Sequence, residues 1–97
     1  MMKKSAILIN VARGAVVDER AVTDAVKNGE IGGLGVDVYS IEPMQTDSPY
    51  QEILNYENVI FTPHMAWGAI EARQRCIDEI VLNIKDYLIG GMKNRVV

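Results

Sequence analysis

The stretch AILINVARGAVVDERAVTDAVKNGEIGGLGVDV (residues 6–38) decides the fold. Residues 6–10 form a short continuous apolar run, which is typical of a strand covered on both faces. Residues 31–38 predict a second strand, and the segment between the two, 19–28, has the apolar spacing of a helix. Strand, helix and strand at this spacing predict a right-handed βαβ unit with two parallel strands.

Local signals bound the helix of this unit. Asp18 is a suitable N-cap, and Gly29 is suited to the left-handed residue that ends a helix. The residues expected to be buried on the helix are Ala21, Val22, Ala25 and Val26. Three glycines in the second strand region are expected to let the helix approach closely: Gly32, Gly33 and Gly35.

The remainder of the chain continues the alternation of strands and helices. Ser48 followed by Pro49 predicts the start of a short helix, and residues 59–61 predict a third strand. A long helix is expected over 68–89, ended by Gly90 and Gly91. Its apolar stripe comprises Ile70, Ile77, Ile80, Val81, Ile84 and Leu88, and Cys76 is expected to be core. The sequence therefore predicts an α/β fold with a three-stranded parallel sheet and a long C-terminal helix.

Composition excludes several classes of function. The 97 residues suffice for one domain, and a net charge of −3 without a basic cluster argues against nucleic-acid binding. No segment has the ~20 apolar residues of a membrane span. A signal peptide is not predicted either, because the first apolar stretch is interrupted by Asn10, ends at Arg13 and has no small-residue cleavage site. A single cysteine excludes a disulfide framework and a cysteine-rich metal site. The free thiol fits a cytoplasmic protein.

Chemically active residue types follow each predicted strand. Ligands of parallel sheets bind beyond the carboxyl ends of the strands. Arg13 follows the first strand, Asp37 and Glu42 follow the second, and His64, the only histidine, follows the third. A cation, carboxylates and an imidazole at one sheet edge suit a small anionic substrate and proton transfer.

Each of these residues also has a purely structural interpretation. Arg13 could pair with Asp18, Glu42 could be a solvated loop carboxylate, and Asp37 could cap the following turn. His64 could be a satisfied structural histidine. The glycines between 29 and 35 do not form a dinucleotide fingerprint, because they leave a helix and enter a strand. These general rules leave the choice between the alternatives open.

Three motifs carry a resemblance to a known family. INVARG (residues 9–14), GVDVY (35–39) with Glu42-Pro43, and TPH (62–64) closely resemble the C-terminal signatures of the D-isomer-specific 2-hydroxyacid dehydrogenases. The resemblance covers essentially the whole chain, in order and at the family's spacings. The stretch from His64 to Arg73 is most similar to the glycerate dehydrogenase (hydroxypyruvate reductase) branch.

The resemblance implies a fold, a reaction and three catalytic residues. The fold would be a partial Rossmann-type three-layer unit, and the enzyme would interconvert D-2-hydroxy acids and 2-keto acids, such as glycerate and hydroxypyruvate or glyoxylate. Arg13 would hold the substrate carboxylate and carbonyl oxygen. His64 would be the acid–base group. Glu42 would hydrogen-bond the imidazole and orient it.

The resemblance also implies a nicotinamide cofactor, NAD, and leaves NADP open. Asp37 would contact the nicotinamide carboxamide. The other residues expected to line that end of the cofactor are Val11, Ala12, Arg13, His64 and Ala66. No metal is implied.

The same resemblance predicts that residues 1–97 are the C-terminal part of an NAD-binding domain. Residues 68–97 would be the crossover helix and a tail toward a missing substrate domain. The pyrophosphate-binding loop would then belong to a missing N-terminal part of the same enzyme, so we expect the fragment to be inactive alone. Without that part, the first strand would have an unpaired edge and the long helix an uncovered apolar stripe, so we also expect a homo-oligomer. The alternative is a stand-alone, non-catalytic binding module derived from half a Rossmann-type sheet. An in-frame G-x-G-x-x-G directly upstream would favour the enzyme.

Overall fold

A computed structural model describes residues 2–96 of the chain. The predictions that involve Met1, at the amino terminus, and Val97, in the tail, lie outside the described residues. The chain divides into two compact units, one ending at Ala66 and the other beginning at Trp67.

The first unit contains a parallel sheet of three strands in the order β1-β2-β3. The strands are β1 (Ile7–Asn10), β2 (Gly33–Val36) and β3 (Val59–Phe61). Between β1 and β2 lies the helix α1 (Glu19–Lys27), and a 3₁₀ helix spans Pro49–Ile53 between β2 and β3. The predicted α/β class, the parallel βαβ unit and the bounds of the third strand are confirmed.

The predicted signals at the ends of α1 are confirmed. Asp18 Oδ1 accepts a hydrogen bond from the backbone N–H of Ala21, and Gly29 has a φ of 66°. The predicted buried face of α1 is partly wrong, because Ala21 is exposed and Thr23 is buried in its place. Thr23 and Val26 are one helical turn apart, so a small rotation of the helix brings both to the sheet.

The sheet of the first unit is covered on one face. The core on that face is made by α1, β2, β3 and the 3₁₀ helix, and its buried residues are Val26, Ile31, Leu34, Val36, Tyr50, Ile53 and Val59. On the opposite face, Ile7, Ile9 and Ile60 are 66–68% exposed. The expectation that the first strand is covered on both faces is therefore wrong, because within residues 2–66 no helix or strand packs on its second face.

The glycines at the start of the second strand make room for different neighbours from the one expected. A Cβ atom at Gly32 would lie 3.0 Å from the backbone of Ser5, and one at Gly33 would lie 3.0 Å from the backbone oxygen of Asn58. A Cβ atom at Gly35 would make an ordinary contact of 3.5 Å with Ile9. Gly32 and Gly33 therefore allow the segments before β1 and β3 to approach, and the predicted close approach of the helix is wrong.

The second unit consists of the helix α2 (Ile70–Leu88) and a short tail. None of the residues of α2 is buried, so the predicted apolar stripe is exposed, and Cys76 is exposed rather than core. The helix ends before Gly90, whose φ is 78°. The tail returns to the helix, since the backbone N–H of Lys93 donates to Asp86 Oδ2 (2.8 Å). No helix within residues 2–96 has the length and hydropathy needed to cross a membrane.

Candidate active site

The loops that follow the three strands begin from the same edge of the sheet. The backbone N–H of Asp37 donates to the carbonyl of Asn10 (3.0 Å), and that of Thr62 donates to the carbonyl of Val36 (2.9 Å). The hydrogen-bonded ladder thus continues to the first residue of the second and third loops. The three loops are therefore neighbours, as the parallel arrangement predicted.

A buried amide shapes the loop that carries Arg13. The Asn10 side chain donates from Nδ2 to the carbonyl of Arg13 (2.9 Å) and accepts at Oδ1 from the N–H of Ala12 (3.1 Å). The Arg13 side chain is exposed, and its Nη1 donates to the carbonyl of Ala12 (2.7 Å). Among the described residues no ion pair joins Arg13 to Asp18, which was the structural alternative.

Gly14 brings this loop against the loop that follows β2. A Cβ atom at this buried position would lie 2.0 Å from the carbonyl carbon of Tyr39 and 2.3 Å from the backbone nitrogen of Ser40. Since real Cβ atoms do not approach this closely, only glycine permits the contact. The position of Arg13 relative to the second loop depends on this close approach.

The second loop is fixed by the start of α1. The Glu19 carboxylate accepts hydrogen bonds from the backbone N–H of Ser40 (2.8 Å) and from the hydroxyl of Ser48 (3.1 Å). Ser48 also accepts from the N–H of Tyr50 and caps the predicted short helix, whose first residue is Pro49. The loop is thereby held at both ends.

Glu42 and His64 are in direct contact, as the sequence predicted. Glu42 Oε2 lies 2.8 Å from His64 Nδ1, and Oε1 accepts from the backbone N–H of Tyr39 (3.1 Å). The hydrogen bond with His64 is the largest cause that lowers the pKa of Glu42, followed by the bond from Tyr39, and burial opposes both. Because its pKa is lowered, Glu42 is an ionised acceptor at neutral pH. The peptide bond between Glu42 and Pro43 is cis.

Asp37 is buried and holds the loop that carries His64. Its Oδ1 accepts from the Thr62 hydroxyl (2.5 Å) and the N–H of Met65 (2.8 Å), and Oδ2 accepts from the N–H of Ala66 (2.9 Å). Burial raises the pKa of Asp37, but these hydrogen bonds together outweigh burial and lower it. The carboxylate therefore stays charged and caps a turn of the third loop, whereas the structural alternative placed it on the turn that follows Asp37 itself.

His64 adopts an unusual backbone conformation. Its φ is 54°, in the left-handed region that residues other than glycine rarely enter. Such a conformation costs about 1–3 kcal/mol and persists only where the surroundings impose it. Here the two amides that follow His64 are both bound by Asp37. Strain of this kind is common at functional sites, which supports a role for His64.

The aromatic rings of Tyr39, Tyr50 and Phe61 pack against one another in this region. The Tyr39 hydroxyl donates to the carbonyl of Thr62 (2.8 Å), and the ring centroids of Tyr50 and Phe61 are 5.3 Å apart. Burial, then the charges of nearby carboxylates, raise the pKa of Tyr39, and burial raises the pKa of Tyr50 to about 12. A cleft in the same region is lined by Tyr39, Glu42, Pro43, Met44, Phe61, Thr62, Pro63 and His64.

The remaining predicted cofactor residues lie at the same edge. Val11 is exposed, and Ala66 is exposed beside Asp37. Sequence reasoning missed Asn10, although a polar residue that ends an apolar strand is a usable signal. It also missed Glu19, whose contacts with the second loop leave no local sequence signal. Across residues 2–96 no group of three or more His, Cys, Asp or Glu side chains is arranged to hold a metal ion.

Comparison with known proteins agrees with the motifs. Residues 1–66 match the sequence model of the D-isomer specific 2-hydroxyacid dehydrogenase family, NAD binding domain. Glycerate dehydrogenase of Methylorubrum extorquens is 44% identical over 95 residues, which cover 98% of this chain and 30% of that protein. The chain thus spans about a third of the length of this curated relative.

Two solved structures show the same fold. A D-isomer specific 2-hydroxyacid dehydrogenase from Lactobacillus delbrueckii ssp. bulgaricus, in its NAD-complexed form, has a TM-score of 0.69 and 32% identity, covering 99% of this chain and 32% of that one. An NADPH-dependent glyoxylate/hydroxypyruvate reductase from Sinorhizobium meliloti, in complex with NADP and malonate, has a TM-score of 0.62 and 36% identity, covering 88% and 25%. With the matched motifs and the parallel sheet, these findings show that the chain belongs to the D-isomer specific 2-hydroxyacid dehydrogenase family.

Proposed function

We propose that this chain supplies the catalytic edge of an NAD- or NADP-dependent oxidoreductase that interconverts D-2-hydroxy acids and 2-keto acids. The observation that carries the proposal is the 2.8 Å contact between His64 Nδ1 and Glu42 Oε2, at the same sheet edge as Arg13. The names of the relatives favour glycerate with hydroxypyruvate, or glyoxylate, as the substrate pair.

His64 is the proposed acid–base group. Because the pKa of Glu42 is lowered, its carboxylate only accepts hydrogen bonds, so His64 Nδ1 carries the proton of their contact. Nε2 is then the nitrogen that gives a proton to the ketone oxygen of a 2-keto acid and takes one from the alcohol in the reverse direction. Glu42 fixes the tautomer and the ring orientation.

Arg13 is the proposed anchor for the substrate carboxylate. Its guanidinium has five N–H donors, and Nη1 donates to the carbonyl of Ala12. The other donors can bind a carboxylate in the two-pronged geometry that a lysine cannot provide. Exposure of this side chain at the carboxyl edge suits a small anion arriving from solvent.

The residues of this edge fit the nicotinamide end of the cofactor. The Asp37 carboxylate accepts three hydrogen bonds of about four that its oxygens can accept, which leaves an acceptor position for a carboxamide N–H. Exposed Val11 offers an apolar neighbour for a ring, and the Ala12 and Ala66 backbones flank it in the proposal. The cofactor, when bound, supplies hydride transfer.

The remaining cofactor contacts are proposed to come from residues outside this chain. In this proposal residues 1–97 are the C-terminal part of an NAD-binding domain, and residues 68–97 are its crossover helix and a tail toward a substrate domain. The 97-residue chain alone is expected to be inactive, because hydride transfer requires both reactants to be held about 3–3.5 Å apart. The exposed apolar faces favour a homo-oligomer.

A segment graft tests the proposed function. This chain replaces the matching 95-residue stretch of the Methylorubrum glycerate dehydrogenase, and hydroxypyruvate-dependent oxidation of NADH is measured. We expect a working enzyme in which His64→Gln lowers kcat about 10²- to 10⁴-fold, the usual contribution of a positioned acid–base group.

The matched control is Cys76→Ser, an exposed residue on α2 with no proposed role. It should leave the rate of the graft unchanged. A folded graft that is inactive, or one that is active and indifferent to His64→Gln, would contradict the proposed function. The first result would favour a stand-alone binding module.

A further inference from the structure

Two buried polar side chains lie at the carboxyl ends of neighbouring strands. Asn10 ends β1 and is 5% exposed, and Asp37 directly follows β2 and is 3% exposed. Burial of an amide and of a carboxylate is costly unless hydrogen bonds compensate for the lost water. Both side chains therefore need partners, and the choice of those partners is informative.

Asn10 directs its side chain to the loop of Arg13. The backbone carbonyl of Asn10 already takes part in the sheet by accepting from Asp37 N–H, so the side chain is not needed for strand pairing. Instead, Oδ1 binds the N–H of Ala12 and Nδ2 binds the carbonyl of Arg13. These two bonds fix the peptide groups on both sides of the Ala12–Arg13 link, and with them the starting point of the guanidinium side chain.

Asp37 does the same for the loop of His64. Its carboxylate binds the N–H groups of Met65 and Ala66, the two residues after His64. It also binds the hydroxyl of Thr62, two residues before it. His64 is thus enclosed by anchored residues on both sides, and its φ of 54° is imposed by them.

The side-chain hydrogen bonds of Asn10 and those of Asp37 are connected through the backbone, because the N–H of Asp37 donates to the carbonyl of Asn10 (3.0 Å). We infer that Asn10 and Asp37 are positioning residues that form one hydrogen-bonded bridge, which fixes the separation between Arg13 and His64. This inference rests on the proposed function and deepens it. The separation matters because Arg13 would hold one end of a 2-keto acid while His64 protonates its ketone oxygen.

Amide hydrogen exchange in the 97-residue chain tests the bridge without any need for activity. Asn10→Ala should speed exchange of the Ala12 N–H by about tenfold or more, the effect of removing a hydrogen bond from a partly buried donor, while Met65 and Ala66 change little. Asp37→Asn should speed exchange of the Met65 or the Ala66 N–H and leave Ala12 little changed, because the amide keeps one acceptor oxygen and places an NH₂ group, which cannot accept, at the other position. If Asn10→Ala does not fold, Asn10→Leu keeps the side-chain volume and removes the same acceptor, so the same faster exchange of the Ala12 N–H is expected.

Asn58→Ala is the matched control. The Asn58 side chain donates to the carbonyl of Gly32 (3.0 Å), so it makes an equivalent side-chain to backbone bond just before β3, at the opposite edge of the sheet. This variant should leave exchange at Ala12, Met65 and Ala66 unchanged. The bridge is refuted if the Asn10 and Asp37 variants leave those amides as protected as Asn58→Ala does.

Kinetics in the segment graft supply a readout that a merely structural role would not move. With NADH saturating, Asn10→Ala should raise the KM for hydroxypyruvate about tenfold, because it disturbs the carboxylate anchor. Asp37→Asn should lower kcat about 10²-fold, because it displaces the acid–base group. Equal changes in kcat and KM for both variants would overturn the inference. An inactive unmutated graft would count against the proposed function, while the exchange experiment would still decide the bridge.

Discussion

The two units of this chain use similar apolar sequence patterns with opposite results. In the first unit α1 buries Thr23 and Val26, and Val26 belongs to a core that contains Ile53 at 0% exposure. In the second unit α2 is twice as long and buries no residue. Ile80, in the middle of its apolar stripe, is 49% exposed.

The comparison separates two questions: whether a helix has an apolar face, and which part of a protein covers that face. Helical periodicity indicates that a face is suited to a partner, but it does not indicate which part of a protein provides the partner. α1 has its partners within the same unit, in the 3₁₀ helix Pro49–Ile53 and in the core residues of the strands. The proposed catalytic residues follow the same division, because Arg13, Glu42 and His64 all lie in the unit that has a core.

The largest effect is expected from a substitution that breaks the close approach of two loops in the first unit. Gly14→Ala would place a Cβ atom 2.0 Å from the backbone of Tyr39, so the loops must separate. We expect a loss of about 3 kcal/mol or more in the free energy of unfolding. Gly90→Ala in the second unit is the control, because it meets no atom within 4 Å and costs only the strain of a positive φ, about 1 kcal/mol. Urea unfolding of both variants measures the difference, and equal losses would contradict it.

Truncation of apolar side chains compares the two units directly. Ile53→Ala removes a fully buried side chain and should cost about 2–5 kcal/mol. Ile80→Ala removes a half-exposed one and should cost less than about 1 kcal/mol. A loss for Ile80→Ala that matches the loss for Ile53→Ala, measured by denaturant unfolding at low protein concentration, would show that α2 is buried in solution.

Self-association would supply the partner that α2 does not have in residues 2–96. The stripe of α2 and the sheet face of Ile7 and Ile9 are each exposed apolar surfaces, and contiguous surfaces of this kind often mark interaction sites. Sedimentation at micromolar concentration should show dimers or larger species, and Ile80→Lys should shift the distribution toward the monomer. A wild-type chain that stays monomeric over this range would contradict the prediction.

Acidification should destabilise the first unit. Hydrogen bonds lower the pKa of Asp37 and Glu42 from their ordinary values of 3.8 and 4.5. A carboxyl group with a lowered folded-state pKa contributes stability above its ordinary value, and the contribution is lost as the pH falls through the folded-state pKa. The free energy of unfolding should therefore decrease progressively below about pH 4.5. Near-ultraviolet circular dichroism of the tyrosines reports mainly on this unit, because Tyr39, Tyr50 and Tyr56 lie in it and Tyr87 of α2 is 78% exposed. Asp37→Asn should weaken the pH dependence.

The sequence predicted the elements well, because their signals are local. Asp18 and Gly29 at the ends of α1, Ser48 before the 3₁₀ helix and the apolar run 59–61 were all correct, since caps and short runs act over a few residues. The Glu42–His64 contact was predicted from a family resemblance, and its geometry is present.

Features that depend on distant parts of the chain were not predictable. The approach of Gly14 to Tyr39 joins loops that are far apart in sequence, and Glu19 binds Ser40 across a similar separation. The exposure of Cys76 was mispredicted for a related reason, because its periodic position does not reveal whether a partner is present. The role of Asp37 in holding Met65 and Ala66 likewise required the loop conformation.

A double-mutant cycle in the segment graft tests the central claim most directly. Glu42 is proposed to act only by orienting His64, through the 2.8 Å contact between Oε2 and Nδ1. Glu42→Gln alone should lower kcat for hydroxypyruvate by about tenfold or more, and His64→Gln should lower it further. The double variant should be no slower than His64→Gln alone, because Glu42 has no imidazole to orient once His64 is replaced. Losses that multiply in the double variant, or an unchanged rate for Glu42→Gln, would contradict the account.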